Sequence, residues 1–250
     1  MIIRTPSFEL AITTRGDENT QRMAFVLPGL LDTKDYQHVA TLQETLAAKG
    51  FFAVSLDAPG TWESGGDISL YTMQNYEKAI QELHQHFGKK PVVFAGHSFG
   101  GFLSLKLGAS VPETLAIVDI MGVSHYVAEE ENDELTNTWK REGMRRGHRD
   151  LPQNPQNFMN YVLPYSFHIA RAGTDTRAAL TQSNAPKLFI AGKDDTTVPP
   201  EQVLDGYNAC REPRKFIEVP GDHDYRKDTT RIQVVNDIVV AFIQESVHGL

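Results

Sequence analysis

Residues 91–102 read PVVFAGHSFGGF. An apolar run climbs to Gly96, and Ser98 then stands between Gly96 and Gly100. The stretch fits the pattern G-x-S-x-G, with a strand-forming run before it and a small-residue helical segment, GGFLSLKLGA, after it. A serine on so tight a strand-to-helix turn projects its hydroxyl clear of the sheet. The flanking glycines leave room for the neighbouring strand and helix. The helix start also presents the Phe99 N–H where negative charge would develop. The plain alternative is a glycine-rich turn with an incidental serine, and the rest of the chain decides between them.

Outward from this turn the same rhythm repeats. Strand candidates lie at 23–27, 51–56, 92–95, 115–121, 187–191 and 215–219. Several are continuously apolar, as strands buried on both faces of a parallel sheet should be. Between them run segments of helical period, such as Tyr36, Val39, Leu42 and Leu46 within 35–49, and Ile232, Val235, Val239 and Phe242 near the C-terminus. Strands alternating with helices imply βαβ units and an open, mostly parallel sheet. The fold class is α/β, with one or two antiparallel strands expected before residue 20.

One interval breaks the rhythm. Residues 122–186 are far more than a crossover requires. They carry an acidic run, EEENDE at 129–134, and a basic run, KREGMRRGHR at 140–149, both read as solvated helix faces. The aromatic- and proline-containing LPQNPQNFMNYVLPYSF follows. The expectation is a helical cap or lid at about 123–185, inserted into a single domain spanning 1–250.

The totals narrow the function classes. A formal net charge of −8 argues against a general nucleic-acid surface. Cys210 is the sole cysteine, which excludes an intrachain disulfide and a cysteine-rich metal site. The N-terminus lacks a secretory pattern, and no stretch approaches the ~20 apolar residues of a membrane span. A cytoplasmic protein without a stable membrane anchor is expected, as monomer or homodimer.

A serine hydroxyl needs a base to take its proton and an acid to orient that base. His223 follows the strand KFIEV in the turn PGDHDY, at the carboxyl end of the last strand, where loops of a parallel sheet meet. His97 is expected to pack beside the turn, and His84 and His86 to lie on a solvated helix face. Asp194 and Asp195 stand at the carboxyl end of the penultimate strand, in KLFIAGKDDTTVPP, and either suits the acid; Asp119, inside AIVDIM, is a third candidate. A second oxyanion donor is sought in LPGLLDTKD, where Gly29 lets the backbone approach and Leu30 offers its N–H.

With these residues in place the sequence resembles the α/β-hydrolase family over essentially its whole length. Residues 96–101, GHSFGG, resemble the family's nucleophile elbow, and 192–199, GKDDTTVP, its G-x-x-D-x-x-V-P acid turn. That match selects Asp195 over Asp194. Gly221-Asp222-His223 is similar to the turn that carries the base. Two loops depart from the pattern. Pro28-Gly29-Leu30 replaces the usual His-Gly-x, and Asp57-Ala58-Pro59-Gly60-Thr61-Trp62-Glu63-Ser64 puts Trp62 where a compact polar turn is common.

The resemblance implies a serine hydrolase with Ser98, His223 and Asp195 as triad and Leu30 and Phe99 as oxyanion donors. It implies no metal and no organic cofactor. The expected substrate is a small-molecule carboxylic ester, cleaved through an acyl-enzyme as in carboxylesterases or lipases, with Trp62, His125 and Tyr161 as substrate contacts. Trp139, Phe158, Tyr161, Tyr165 and Phe167 suit either an acyl pocket or the lid's own core. Thioester, amide, lactone and carbon–carbon bond hydrolysis use the same triad, and a ligand-binding protein of this fold is the alternative from another class.

Overall fold

Apolar runs without polar alternation become the middle of an eight-stranded sheet. In a computed structural model that describes residues 1–126 and 134–247, the strands are β1 (Ile2–Arg4), β2 (Glu9–Arg15), β3 (Met23–Leu27), β4 (Phe52–Leu56), β5 (Val92–His97), β6 (Thr114–Ile120), β7 (Met144–Leu151), β8 (Asn154–Pro164), β9 (Lys187–Gly192) and β10 (Arg214–Val219). The main sheet runs β1-β2-β4-β3-β5-β6-β9-β10, and β7 and β8 form a separate pair. From β4 to β10 every pairing in that sheet is parallel, while β1 and β2 are antiparallel, as expected before residue 20.

The helices are α1 (Gln37–Ala47), α2 (Met73–His86), α3 (Phe99–Ser110), α4 (Glu134–Glu142), α5 (Tyr165–Arg171), α6 (Arg177–Leu180), α7 (Pro200–Ala209) and α8 (Thr229–Ser246). Alternate residues of each strand face opposite layers. Met23, Phe25 and Leu27 of β3 join α2 and α3 in one core, whereas Ala24 and Val26 join α1 and α8 in the other. Helix α8 begins on a side-chain cap, in which Asp228 accepts from the amides of Thr230 and Arg231. Strands β3, β4, β5, β6, β9 and β10 therefore point their carboxyl ends to one edge of the sheet, where the loops gather.

The long interval folds differently from the helical expectation. Helix α4 takes 140–142 of the basic run, but 144–149 lie in β7, paired antiparallel with β8 from Met144↔Pro164 to Asp150↔Phe158. Gly143, at φ 71°, turns the chain between helix and strand. Exposure then alternates along Met144–Arg149, so Arg146 falls on the exposed face of a hairpin and Arg145 and Arg149 on its half-buried face, instead of together on a helix. Residues 129–133 of the acidic run lie outside the described residues. The insertion is tied into the main core through Trp139, Leu163 and Phe167, and Trp139 donates Nε1–H to the Leu163 carbonyl at 3.0 Å. Among the described residues no helix is long and apolar enough to cross a membrane.

A buried ionic cluster fixes two loops at the carboxyl edge. Lys34 Nζ, in the loop after β3, lies 3.1 Å from Asp57 Oδ2, 2.7 Å from Glu63 Oε2 and 2.6 Å from Asp35 Oδ2. Asp57, fully buried at the end of β4, also accepts from the Thr33 hydroxyl at 2.7 Å and from the Lys34 and Glu63 amides. Burial pushes the Asp57 carboxyl up and Lys34 pulls it back only in part. Lys34 itself would be lowered by burial, but its hydrogen bonds to Asp35, Glu63 and Asp57 raise it above the ordinary lysine range. Removing one member of such a pair strands a buried charge, at a cost of about 3–5 kcal/mol. Lys34→Met is expected to lose about 3 kcal/mol or more in urea unfolding. A loss below about 1 kcal/mol, the scale of an exposed pair, would show that the cluster does not hold the loops.

Candidate active site

Ser98 sits at φ 54°, ψ −117°, between the last residue of β5 and the first of α3. Its backbone is held on both sides: its N–H donates to the Ile120 carbonyl at 2.9 Å, and its own carbonyl accepts from Phe102 N at 3.1 Å. The two glycines of the pattern are dictated by space. A Cβ at Gly96 would lie 2.3 Å from the Gly100 backbone, and one at Gly100 would lie 2.1 Å from the Leu27 carbonyl oxygen. Only hydrogen fits at either position.

The loops after β9 and β10 bring the other two residues of the expected triad to this hydroxyl. His223 Nε2 lies 2.9 Å from Ser98 Oγ, and Nδ1 lies 2.7 Å from Asp195 Oδ2. A carboxylate only accepts, so the Nδ1 proton points at Asp195 and Nε2 is left to accept from the serine hydroxyl. Asp195 is 3% exposed, and its Oδ1 accepts from the Thr197 and Val198 amides, each at 2.8 Å. Burial alone would raise this carboxyl, but the His223 hydrogen bond and the two amides outweigh it and lower it below the usual aspartate value. It is therefore an ionised acceptor at neutral pH.

The other acid candidates are placed elsewhere. Asp194 accepts from Gly221 N at 3.3 Å and, through its own amide, donates to the Gly221 carbonyl, which joins the β9 and β10 loops. Asp119 lies beneath the elbow against Gly101 and Gly122, and burial pushes its carboxyl well up.

Leu30 and Phe99 border one cavity of about 370 Å³ with Ser98, Val123, His125, Tyr126, Arg171, Thr197, Val198 and Gln202. The loop bearing Leu30 is pinned by residues that sequence reasoning did not connect to it. Arg149 donates to the Leu30 carbonyl, the Tyr71 hydroxyl accepts from Leu31 N at 2.9 Å, and Trp62 Nε1 donates to the Leu31 carbonyl at 2.9 Å. Of the expected substrate contacts, the structure brings His125 into the Ser98 cavity. It places Trp62 and Tyr161 in a second cavity, of about 680 Å³, between the 60–68 loop and the β7–β8 hairpin. Trp62 is half-buried because its indole holds the Leu31 carbonyl and meets the Tyr36 ring edge-on at 6.0 Å.

His97 is buried beside His223, with ring centroids 4.9 Å apart, and its Nε2 lies 3.1 Å from the His223 carbonyl oxygen. It thus braces the backbone of the neighbouring histidine. Behind it stand Asp32 and His38, and these three offer one ligand atom each within 4.8 Å of one another. Burial pulls His38 down to about 3 and lowers His97 as well, so both rings are neutral. Burial would raise Asp32, but His97 and the Arg149 guanidinium hold it well below the usual carboxylate range. With Arg149 Nε 3.4 Å from Asp32 Oδ1, a positive charge already faces the carboxylate, and a metal ion would have to lie against it. The second such group, Asp35, Asp57 and Glu63, surrounds the Lys34 ammonium.

Known proteins place this arrangement in context. A family profile described as alpha/beta hydrolase fold matches residues 25–147. The palmitoyl-protein thioesterase ABHD10, mitochondrial, of Rattus norvegicus is 21% identical over 211 residues, covering 84% of this chain and 71% of that protein. Est1E from Butyrivibrio proteoclasticus, solved with ferulic acid bound, superposes with a TM-score of 0.75 at 18% identity and covers 99% of both chains. The enol-lactonase from Burkholderia xenovorans LB400 superposes with a TM-score of 0.74 at 18% identity, covering 97% of this chain and 99% of that one. At such identities the structural likeness speaks for the fold alone.

The two neighbouring aspartates separate cleanly by experiment. Asp195→Asn keeps the shape but offers Nδ1 a group that also donates, and turnover of an aryl ester is expected to fall by about 10⁴-fold. Asp194→Asn is expected to cost less than about tenfold, through the loop contact alone. The opposite ranking of kcat/KM would assign the acid to Asp194.

Proposed function

The chain belongs to the α/β-hydrolase fold family, and from that premise we propose that it is a serine hydrolase cleaving carboxylic esters through an acyl-enzyme. The observation that carries this reading is the unbroken chain from Asp195 Oδ2 through both nitrogens of His223 to Ser98 Oγ, with links of 2.7 and 2.9 Å. A nucleophile, a base in the required tautomer and an ionised orienting acid are together.

In this mechanism Ser98 Oγ attacks the ester carbonyl as His223 Nε2 takes its proton. Asp195 stabilises the imidazolium that forms. The carbonyl oxygen becomes an oxyanion facing the amides of Phe99 and Leu30. Neither amide has an acceptor among the described residues, and Phe99 opens helix α3, whose dipole favours negative charge there. A single such donor is worth about 3–4 kcal/mol of barrier in enzymes where one has been removed. His223 then gives the proton to the departing alcohol. Water, activated by the same nitrogen, attacks the acyl group, and the acid leaves with Ser98 restored. The described residues of the long interval, 123–126 and 134–185, act as a cap on this site, supplying Val123, His125, Tyr126 and Arg171 to the cavity wall.

Similarity to a rat protein named as a palmitoyl-protein thioesterase adds thioesters to the bonds to be tested. The test is a panel of aryl esters of graded acyl length, with thioester and amide analogues of the same acyl groups. Ester turnover is expected in the wild type and a loss of about 10⁴-fold or more in Ser98→Ala, whose circular dichroism is unaltered. Retained turnover in Ser98→Ala would place the nucleophile elsewhere, and a preference for the thioester series would move the substrate class.

A further inference from the structure

Arg171 closes α5 and lines the same cavity as Ser98. Its guanidinium carbon lies 4.7 Å from the Tyr126 ring centroid and 5.7 Å from that of Phe167. Aromatic faces attract a cation and fix its plane, but they do not satisfy its N–H edge. Arg171 Nε is shielded from solvent and has no acceptor. Among the described residues the guanidinium has no carboxylate partner, whereas Arg149 faces Asp32, Arg177 faces Asp175 and Asp205, and Arg226 faces Asp150.

The cavity wall reinforces the contrast. Its lining residues include no aspartate or glutamate, although the chain has 32 acidic against 24 basic residues. Asp205, which His125 of the cavity wall meets through Nδ1 at 3.5 Å, is already engaged by Arg177 Nη1 at 2.9 Å. A half-buried cation is thus held in place by two rings, and among the described residues its Nε has no acceptor and no carboxylate balances its charge. A guanidinium edge of this kind matches the paired oxygens of a carboxylate or phosphate.

We infer that the substrate is an anionic ester: while its carbonyl lies at Ser98, an oxyanion elsewhere in the molecule pairs with Arg171. The inference rests on Ser98 as nucleophile and adds the substrate class. On the acyl side it corresponds to half-esters of dicarboxylic acids. On the alcohol side it corresponds to esters whose leaving group carries a carboxylate or phosphate.

The test compares p-nitrophenyl hemisuccinate, hemiglutarate and hemiadipate with neutral p-nitrophenyl esters of matched length, and acetyl esters of hydroxybenzoates with phenyl acetate. Wild type, Arg171→Met and Arg171→Lys are assayed on each. For at least one pair the wild type is expected to prefer the anionic member. The anionic-to-neutral ratio of kcat/KM should then fall by about 10- to 100-fold in Arg171→Met and by less in Arg171→Lys. The responding pair tells whether the anion belongs to the acyl or the alcohol part. Competition by glutarate or by inorganic phosphate against a neutral ester, weakened in Arg171→Met, tells which oxyanion is preferred. An unchanged ratio in Arg171→Met, or no anionic preference in any pair, overturns the inference. Ser98→Ala separates the two levels: if it still turns over the neutral esters the nucleophile is wrong. If it is inactive and Arg171→Met moves no ratio, only the role of Arg171 fails.

Discussion

The structure turns on one crowded residue. Ser98 holds a backbone conformation at φ 54° that costs a side-chain-bearing residue on the order of 1–3 kcal/mol. Its surroundings leave it no alternative. Strand β5 is registered against both β3 and β6, α3 starts immediately after the serine, and Leu27 presses its carbonyl against Gly100. The sheet therefore sets the position of the hydroxyl. Because parallel strands end at one edge, the same sheet delivers the β9 and β10 loops, and with them Asp195 and His223, to within hydrogen-bonding reach of it.

Around the hydroxyl, polar groups without catalytic chemistry keep the loops in place. Lys34 and Asp57 lock the loop after β3 to the loop after β4. Arg149, Tyr71 and Trp62 then fix the Leu30 carbonyl and the Leu31 backbone, next to where Leu30 borders the Ser98 cavity. His97 ties the His223 backbone to the elbow, and the neutral His38 and ionised Asp32 lie behind it. Each of these contacts links segments distant in sequence. The shape of the site depends on long-range electrostatics in a dry interior, where such pairs are strong only if complete.

The fold and the three turns that meet at Ser98 Oγ were legible because their signals are local. Continuous apolar runs mark buried parallel strands, and G-x-S-x-G, GKDDTTVP and GDH each combine a chemical group with the turn that presents it. The hairpin was not legible. MRRGHRDL is polar, and its alternation of exposure depends on pairing with residues 154–164 rather than on hydrophobic periodicity. Trp62 was visible as an unusual residue, yet its contact with the Leu31 carbonyl spans 31 residues and leaves no mark in the sequence. Arg171 was missed for a related reason: nothing in RAGTD distinguishes an arginine stacked on two rings inside a cavity from one on a solvated helix face.

The most direct measurement is the reaction of the native protein with a fluorophosphonate, followed by peptide mapping of the adduct. The account predicts a single phosphonylated residue, Ser98, with labelling lost on denaturation and strongly slowed in His223→Ala. An adduct on another residue, or no labelling of the folded protein, would contradict it.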